Sequence, residues 1–449
     1  MSDSELLLGI DIGTTRVKAL LVGLDGRVAG IGMAPTPFET VGSRVEMPLE
    51  SLRTAIAAAV ASLGDQRKRV IAVGIASMGE SGVPFDRSGR AIGPLIAWHD
   101  PRGAKVVREL VEAFGDALPA RVGQATRTQS SIAKIGWFIQ HGVDVTRWLG
   151  TAELGLWTLT GEQATEPSLA CRTGAFDIRN SRFIVDVMAA VGASAQIFPP
   201  VRAAGDVEGL VSQEGAAWLE LPVGIPVTVA GHDHMVGAVG VGIDNADLLD
   251  SIGTAETLVR YAGAGLGLAD AVAHGADVSI DPLCGRLAIM AGDLRPGRIV
   301  EAARRMLGDA TFEALNRRDQ FTENGGDAQD ASRGQEVLEQ LRTQGATPAV
   351  AELAGVRWRG LVEAMTTYMW RCAQDIEPLT GPPSRVVLIG GGARSDLWAV
   401  AKRRLTRLPV VRSRVEATAY GAALFAGRAA GLWADVAAAP RHALEEIEI

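Results

Sequence analysis

Two segments far apart in the chain share one pattern, in which apolar runs flank a short Gly-Thr turn. The first is LLLGIDIGTTRVKALLVG at residues 6–23, and the second is LLDSIGTAETLVR at residues 248–260. Apolar runs on both sides of a glycine-containing turn predict a β-hairpin. The repetition predicts two hairpins that supply two half-sites for one polyphosphate ligand.

The first turn carries the groups that a phosphate site needs. Gly13 lets backbone N–H groups approach a ligand closely, and Thr14 and Thr15 add hydroxyl donors. The carboxylate of Asp11, just before the turn, is suited to orient a hydrated magnesium ion. Gly-Thr hairpins are also common as purely structural turns, so the pattern alone leaves both interpretations open.

Length and composition indicate a folded protein of two or three domains, most simply two large α/β units. Hydrophobic residues make up 47% of the 449 residues and charged residues 21%, without a low-complexity tract. The net charge is -8 and no basic run occurs. The chain therefore lacks the electrostatic signature of proteins that bind nucleic acids or anionic membranes.

Targeting signals and cysteine pairs are also missing from the sequence. The first residues, MSDSELLL, lack the positive start of a signal peptide, and no apolar run reaches the roughly 18 residues of a membrane span. We therefore expect a cytoplasmic protein. Cys171, Cys284 and Cys372 form no CxxC pair, which disfavours a disulfide framework or a zinc site.

Hydrophobic periodicity predicts alternating strands and helices. Helices are predicted at 48–64, 106–114, 132–141, 235–242, 358–376 and 417–431. Buried strands are predicted at 70–76, 227–230, 385–389 and 410–411. Pro378 is expected to break the helix that begins at Trp358, and the polar residues 320–348 are expected to form an exposed excursion.

Polar clusters follow three apolar runs of the first half. They are Ser77–Ser81, Trp98–Arg102 and Gly231–His234. Because ligands bind at the carboxyl ends of strands in doubly wound sheets, these loops are candidate walls of a site. A metal site is the alternative for the third cluster. It is disfavoured because neighbouring residues of a strand point to opposite faces and no further His or Cys cluster supports it.

A glycine triplet, Gly390–Gly392, lies between a predicted strand and a predicted helix. A loop without side chains at this position leaves room for a flat base and a ribose, although close packing is the simpler explanation of a triplet. Neither GxxxxGK[ST] nor the GxGxxG of a Rossmann unit occurs in its usual place. A nucleotide site here must therefore be of another kind.

Taken together, these segments resemble the FGGY carbohydrate kinases, members of the superfamily of sugar kinases, heat-shock chaperones and actin. GIDIGTTRVK is similar to the first phosphate motif of that family and DSIGTAE to the second. VVLIGGGARSDLW and VEATAYGAAL resemble its adenosine motif, and GHDH resembles the segment with the catalytic aspartate. SMGES, AWHDPRG and LTGEQATEPSLACRTGAFDI are similar to sugar-side segments. The matches follow the family order along almost the whole chain, which is identified as a xylulokinase-like member.

The resemblance implies an α/β fold of two ribonuclease-H-like domains, of the actin-like ATPase type, with a cleft between them. Residues 1–244 would carry the sugar site, the first phosphate motif and the catalytic aspartate, and residues 245–449 the second phosphate motif and the adenosine motif. The implied reaction is ATP-dependent phosphorylation of a hydroxyl on a ketose such as xylulose, or on a polyol. Asp233 would be the general base, with ATP and Mg²⁺ as cofactors.

The resemblance also implies which residues contact each ligand. Asp11 would hold magnesium through water. The phosphates would contact Gly13, Thr14, Thr15, Lys18, Gly253 and Thr254. The nucleotide would contact Gly390, Gly391, Gly392, Ala393 and Asp396. The sugar would contact Gly79, Glu80, Trp98, Asp100, Asp233 and His234.

Several alternatives stay open at this point. Lys18 is equally interpretable as a structural charge, Trp98 as a core residue and Glu80 as part of a solvated loop. A non-catalytic nucleotide-binding regulatory protein is a competing function, although the intact Asp11 and Asp233 argue against it. An actin-like or chaperone-like ATPase is another, although AWHDPRG favours a small sugar ligand. The expected partner is a small sugar or polyol, and a homodimer is the assembly to test.

Overall fold

The computed structural model describes residues 5–297, 299–301, 314, 332–339 and 357–448. Contacts within the chain group it into two compact units. The first comprises Met1–Gly242, Gly263–Ala288 and Val415–His442, and the second comprises Ile243–Ala262, Ile289–Arg414 and Ala443–Ile449. The chain therefore returns twice to the first unit after residue 242. The division into functional domains at residues 1–244 and 245–449 stays a prediction.

The elements of the first unit are numbered in chain order along the whole protein. Its strands are β1 (Leu6–Ile12), β2 (Arg16–Gly23), β3 (Val28–Pro35), β4 (Glu39–Val41), β5 (Arg44–Met47), β6 (Val70–Ser77), β7 (Gly82–Phe85), β8 (Leu95–Ile96), β9 (Arg147–Gly150), β10 (Phe176–Asp177), β11 (Arg182–Phe183), β12 (Gly209–Leu210), β13 (Pro226–His232) and β16 (Asp277–Ile280). Its helices are α1 (Leu49–Ala61), α2 (Ala104–Phe114), α3 (Pro119–Val122), α4 (Ser131–Gln140), α5 (Thr151–Thr160), α6 (Pro167–Ala170), α7 (Val185–Ala190), α8 (Gln213–Leu219), α9 (Asp233–Val241), α10 (Leu268–Ala273) and α13 (Ala417–Ala429).

The second unit has the same kind of alternation. Its strands are β14 (Asp247–Ile252), β15 (Glu256–Tyr261), β17 (Leu287–Leu294), which begins in the last residues of the first unit, β18 (Arg385–Ile389), β19 (Val410–Arg412) and β20 (Glu445–Glu446). Within the described residues, its longer helices are α11 (Trp358–Thr380) and α12 (Asp396–Thr406). Both predicted hairpins, β1–β2 and β14–β15, are confirmed as antiparallel pairs.

The main sheet of the first unit has the strand order β12-β13-β6-β1-β2-β3. The strand β6 runs parallel to both β1 and β13, so the carboxyl ends of all three lie at one edge of the sheet. Every residue of β1 is buried, because one face packs in the core with Leu8 and Ile10 and the other face places Leu7 against α13. A separate sheet in the order β4-β5-β8-β7-β9 carries the loops of the predicted sugar side.

The helix α13 approaches the main sheet closely because two central strands carry glycine. A Cβ atom at Gly9 of β1 would lie 1.8 Å from the carbonyl oxygen of Ala419. A Cβ atom at Gly74 of β6 would lie 1.9 Å from the carbonyl oxygen of Ala422. These separations exclude any side chain at either glycine, so backbone meets backbone across this interface.

The second unit packs its sheet against α11 and α12, and its strands follow the order β17-β15-β14-β18-β19-β20. Residues 332–339 are helical, and Val337 and Leu338 are buried in the same core. The expectation that 320–348 is an exposed excursion is therefore wrong for this helical turn, since apolar side chains at helical spacing find a core to cover. The remaining residues of that segment lie outside the described ones.

The helix α11 also differs from its prediction. It continues through Pro378 to Thr380, and Gly381, with φ of 73°, follows its end. A proline in the last turn removes one hydrogen-bond donor and keeps a helical φ, so the break expected at Pro378 is wrong. Among the helices in the described ranges, none is both long and apolar enough to cross a membrane.

The contact of α13 with the sheet predicts that Gly74→Ala lowers stability by about 3 kcal/mol, because the added Cβ forces the helix from the strand. Gly265→Ala is the matched control, since no heavy atom of the described chain lies within 4 Å of a Cβ built at that residue. Urea unfolding of both variants measures the difference. Equal midpoints for the two variants would contradict the close approach.

Candidate active site

The turn between β1 and β2 is held by hydrogen bonds to neighbouring loops. The Gly13 N–H donates to the Arg16 carbonyl over 3.1 Å, and the Thr36 hydroxyl donates to the Gly13 carbonyl over 2.7 Å. The indole Nε1 of Trp98 donates to the Thr14 hydroxyl over 2.9 Å. The structure thus brings together a residue predicted for phosphate and one predicted for sugar. Thr15, next to them, is exposed to solvent.

Asp11 and Lys18 face each other across the hairpin, where they are register partners. The Lys18 Nζ lies 3.3 Å from Asp11 Oδ2 and 2.8 Å from Glu416 Oε2, and Glu416 is the residue before α13. Burial opposes the charge on Lys18, but the two carboxylates outweigh it and raise the pKa of Lys18. Lys18 is therefore a cation tied to two acidic side chains.

Asp11 is the least satisfied carboxylate of this cluster. It is only 4% exposed, and its Oδ1 has no hydrogen-bond partner within the described part of the chain. Burial raises the pKa of Asp11 to about 6, against the opposing effect of Lys18, and the charges of Asp233 and Glu416 add to the rise. An oxygen in this state has spare capacity for a cation or for water held by one.

Asp233 is the first residue of α9 and directly follows β13. Its Oδ1 accepts a hydrogen bond from the His234 N–H over 2.7 Å and lies 3.3 Å from His232 Nε2. The strand predicted at 227–230 extends to His232 and α9 begins at Asp233, so these three residues do not alternate along one strand, as the argument against a metal site assumes. Thr418 of α13 donates to the Asp233 carbonyl over 3.1 Å.

The electrostatic surroundings keep Asp233 ionised. Burial opposes ionisation, but His234, His232 and the helix-terminal N–H outweigh it and hold the pKa of Asp233 below its ordinary value. Burial lowers the pKa of His232 to about 4, so that imidazole is neutral near pH 7. The Asp233 side chain keeps 22% of its surface exposed, which leaves the carboxylate accessible to a ligand.

Glu80 has a buried guanidinium partner that the sequence did not indicate. Arg172 donates to Glu80 Oε1 from Nε over 2.9 Å and from Nη2 over 2.5 Å. Arg172 also donates to Asp277 over 3.0 Å, and its own exposure is 4%. Glu80 has a φ of 60°, so its backbone is held in the left-handed region. A solvated loop, the alternative for Glu80, does not describe this arrangement.

Gly79 lies where the sugar-side loop meets the segment of Asp233. A Cβ atom built on Gly79 would come within 2.7 Å of Arg172 Cγ and 3.1 Å of His232 Cδ2. Glycine is therefore required for this close approach. The loop that carries Glu80 and the residue before Asp233 are neighbours in the first unit.

Asp100 is more fully enclosed than a ligand-binding carboxylate needs to be. Its side chain has no exposed surface, and its oxygens accept hydrogen bonds from the Val45 N–H and from the Arg102 guanidinium. Arg102 and those hydrogen bonds lower the pKa of Asp100 against the effect of burial. These contacts fix the loop that follows Trp98, and a direct sugar contact of Asp100 stays a prediction.

Lys134 is a further residue that the sequence analysis missed. It lies on α4, is 1% exposed, and its Nζ donates to the carbonyls of Trp98, Thr128 and Gln129 over 3.2, 3.0 and 2.6 Å. Burial lowers the pKa of Lys134 to about 7, despite the nearby charge of Glu80. A helical lysine among apolar residues was the only signal in the sequence.

The second unit brings its own predicted residues together. The Gly253 N–H donates to the Ala255 carbonyl over 2.9 Å and closes the turn between β14 and β15. A Cβ atom at Gly390 would lie 2.6 Å from the Ile252 carbonyl, and one at Gly392 would lie 2.2 Å from Ile252 Cγ2. The glycine triplet therefore packs against the residue that precedes Gly253.

The remaining predicted nucleotide residues differ in their surroundings. Among the described residues, none places a heavy atom within 4 Å of a Cβ built on Gly391, whereas Ala393 is fully buried. Thr254 is half-buried in the turn. The Asp396 side chain is 80% exposed at the first position of α12 and lies 2.6 Å from Arg412.

Beside the second turn, Lys402 is buried against two carboxylates. Its Nζ lies 2.5 Å from Glu256 and also pairs with Asp250. Burial raises the pKa of Glu256 to about 8. Both acidic residues flank the Gly-Thr turn in the sequence, but the lysine partner lies far along the chain. In the described ranges, no group of three or more His, Cys, Asp or Glu side chains is arranged to hold a metal ion.

Comparison with known protein families identifies the family to which this fold belongs. The model of the N-terminal domain of the FGGY family of carbohydrate kinases matches residues 6–240, which is more than half of the chain. The chain belongs to the FGGY family of carbohydrate kinases. The resemblance predicted from the sequence motifs is confirmed, and the FGGY kinase fold accounts for the two α/β units.

Two curated relatives and one solved structure illustrate the similarity of this FGGY kinase to others. L-fuculokinase of Escherichia coli (strain K12) is 27% identical over 444 residues, which cover 94% of this chain and 92% of the relative. Xylulose kinase of Streptomyces coelicolor is 25% identical and covers 96% of this chain and 89% of the relative. The xylulose kinase structure from Rhodospirillum rubrum matches with a TM-score of 0.79 at 22% identity, covering 99% and 94% of the two chains.

These findings confirm the predicted α/β fold of the two-domain, actin-like ATPase type and the predicted class of enzyme, a carbohydrate kinase. Enzymes of this family phosphorylate sugars with ATP. The roles of the individual site residues in this FGGY kinase stay predictions.

The lowered pKa of Lys134 predicts how the free energy of unfolding changes with pH. Below about pH 7 both the folded and the unfolded chain carry its proton, whereas between pH 7 and the ordinary pKa of 10.5 only the unfolded chain does. Stability from this group therefore rises with pH above 7, by about 1.4 kcal/mol per pH unit. Urea unfolding at pH 7, 8 and 9 is expected to show this rise in wild type relative to Lys134→Met.

The exposed Lys105 supplies the control for that experiment. The variant Lys105→Met is expected to follow the wild-type protein at all three pH values. If Lys134→Met did the same, the interpretation of Lys134 as a buried, easily neutralised amine would be wrong.

Proposed function

We propose that this kinase transfers a phosphoryl group from Mg-ATP to a hydroxyl of a ketose and that Asp233 is the general base. The observation that carries this proposal is the state of Asp233. It is an ionised, partly exposed carboxylate at a helix start, and its charge raises the pKa of Asp11, which lies just before the Gly-Thr turn of the same unit. A base near a phosphate turn is what phosphoryl transfer to an alcohol requires.

Transfer of the phosphoryl group to the sugar hydroxyl requires one group that accepts the hydroxyl proton. The sugar oxygen forms a bond to the γ-phosphorus while the bond from that phosphorus to the ADP oxygen breaks, and Asp233 accepts the hydroxyl proton. The transition state of phosphoryl transfer is loose, so positioning and charge stabilisation carry most of the catalysis. The low pKa of Asp233 keeps it deprotonated at neutral pH, so its carboxylate is in the form that accepts a proton.

Asp11 is the residue suited to hold magnesium through water. Its buried Oδ1, unpartnered among the described residues, is a hard oxygen ligand of the kind that magnesium and its water shell prefer. Magnesium bound with ATP would neutralise charge on the phosphates. Lys18 is occupied by Asp11 and Glu416, and we propose that it holds Asp11 in place and stabilises its charge.

The two Gly-Thr turns and the glycine triplet would bind the nucleotide. Gly13, Thr14 and Thr15 offer backbone and hydroxyl donors to phosphate, and so do Gly253 and Thr254 of the second turn. The adenosine would lie along Gly390, Gly391, Gly392 and Ala393, where the space around Gly391 accepts a flat ring. Asp396 would add a polar group at the start of α12.

The sugar would contact the loop that holds Glu80 and Trp98. A carboxylate accepts hydrogen bonds from adjacent hydroxyls, and an indole packs on the carbon face of a sugar. Arg172 fixes Glu80, and the Thr14 hydroxyl fixes the Trp98 ring, so both side chains are preorganised. Two relatives are named for fuculose and xylulose, which are both ketoses, and this favours a ketose over a polyol.

The test of the proposed function is a coupled ADP-release assay over ketoses, aldoses and polyols. At least one ketose is expected to be turned over, and Asp233→Asn is expected to lower kcat for it by about 10²- to 10⁴-fold, because the alcohol proton loses its acceptor. Asp206→Asn removes an exposed carboxylate of the same unit, paired with Arg428, and is the control that should keep wild-type activity.

Three outcomes would each overturn part of the proposal. Wild-type kcat in folded Asp233→Asn would exclude this residue as the base. Turnover of polyols alone would exclude the ketose assignment, and no turnover with any substrate would favour a binding protein on the same scaffold.

Glu80 gives a separate prediction for sugar binding. The variant Glu80→Gln keeps the shape of the side chain but loses the charge that accepts hydroxyl hydrogen bonds, so KM for the sugar is expected to rise about tenfold. KM for ATP should change little. Glu46→Gln, which alters another arginine-paired carboxylate of the first unit, is the control. Equal effects on both KM values would contradict a sugar contact.

A further inference from the structure

The backbone just before Asp233 departs from regular strand geometry. The pairing of β13 with β6 shifts register between Val229 and Gly231, which marks a β-bulge. Gly231 has a φ of 128°, a conformation that other residues rarely adopt. Asp233 follows two residues later, so the bulge sets the direction in which its side chain leaves the chain.

Two buried side chains hold this bulge from outside the strand. The His232 N–H donates to the Ser168 hydroxyl over 2.8 Å, and that hydroxyl donates to Glu166 Oε2. The Ser168 N–H also donates to Glu166 Oε2, over 2.7 Å. Ser168 and Glu166 have no exposed surface. The bulge is therefore tied to a carboxyl group through one hydroxyl.

The contact leaves no room for adjustment. A Cβ atom on Gly231 would lie 2.6 Å from Ser168 Oγ and 2.7 Å from Glu166 Oε2. These distances show that the backbone of the bulge rests directly on the hydroxyl and the carboxyl group. A displacement of Ser168 would therefore be passed to His232 and then to Asp233.

The buried carboxyl group of Glu166 lowers the stability of the folded protein. Burial raises the pKa of Glu166 to about 8, and its Oε1 has no hydrogen-bond partner among the residues that the structure describes. A buried carboxyl group with an unpaired oxygen costs stability. Its place next to Asp233 is explained more directly by the geometry that it imposes than by a gain in folding energy.

We propose that Glu166 and Ser168 are positioning residues that fix the bulge at Gly231 and His232 and thereby place Asp233 for proton transfer. The inference rests on the proposed role of Asp233 as base. It assigns no substrate contact to Glu166 or Ser168. Their effect is expected on the chemical step, because a shift of about 1 Å at a catalytic group is sufficient to slow a reaction by up to about 10²-fold.

The first test compares two hydroxyl deletions in equally buried places. Ser168→Ala removes the acceptor of the His232 N–H. Thr228→Val is the control, because Thr228 lies on the same strand, has no exposed surface and accepts from the Gly205 N–H over 2.9 Å. We expect Ser168→Ala to lower kcat about 10- to 100-fold with less than threefold change in either KM. Thr228→Val should keep kcat, with a comparable drop in melting temperature.

The second test uses Glu166 and keeps the proposal falsifiable if Ser168→Ala does not fold. Glu166→Gln retains a carbonyl oxygen that accepts from Ser168, and it is expected to keep kcat within about threefold of wild type. Glu166→Ala removes the acceptor and is expected to lose kcat about as much as Ser168→Ala.

The outcomes separate this inference from the proposed function. Wild-type kcat in Ser168→Ala, equal kcat losses in Ser168→Ala and Thr228→Val, or equal losses in the two Glu166 variants would each overturn the positioning role. Activity that survives in Asp233→Asn would instead overturn the base itself. Loss of activity in Asp233→Asn together with the expected pattern at Ser168 and Glu166 would support both.

Discussion

The close approach of α13 to β1 and β6 is the constraint on which the candidate site depends. Gly9 and Gly74 allow helix backbone to rest on strand backbone, so the start of the helix reaches the carboxyl ends of those strands. There Glu416 pairs with Lys18, and Thr418 donates to the carbonyl of Asp233. A helix from the end of the chain thus completes a site begun by its first hairpin.

Asp11 lies in the field of two other carboxylates, because the charges of Asp233 and Glu416 both raise its pKa. Lys18 pairs with Asp11 and with Glu416. Burial raises the pKa of Asp11 to about 6, whereas the surroundings of Asp233 hold its pKa below the ordinary value. Asp233 is therefore ionised over a wider range of pH than Asp11.

Local patterns predicted the fold better than they predicted the site. The hairpins, the buried strands and most helices follow from apolar spacing and turns, which involve residues close in sequence. The break expected at Pro378 is wrong because a helix tolerates proline in its last turn. The placement of His232 and Asp233 is wrong because the strand passes into a helix without a loop. No local pattern marks the ion-pair partners in the site. Glu80 pairs with Arg172, and Lys18 pairs with Glu416, in each case a residue far away in the sequence.

The short segment from Glu166 to Arg172 contacts both the bulge before Asp233 and the side chain of Glu80. Its first residue reaches the bulge before Asp233 through Ser168, and its last residue holds the carboxylate of Glu80. Under the proposed roles of Glu80 in sugar binding and of Asp233 as base, this segment links substrate choice to reaction rate. Under those roles, an engineer who reshapes the Glu80 side for another sugar by moving this segment would also displace Asp233.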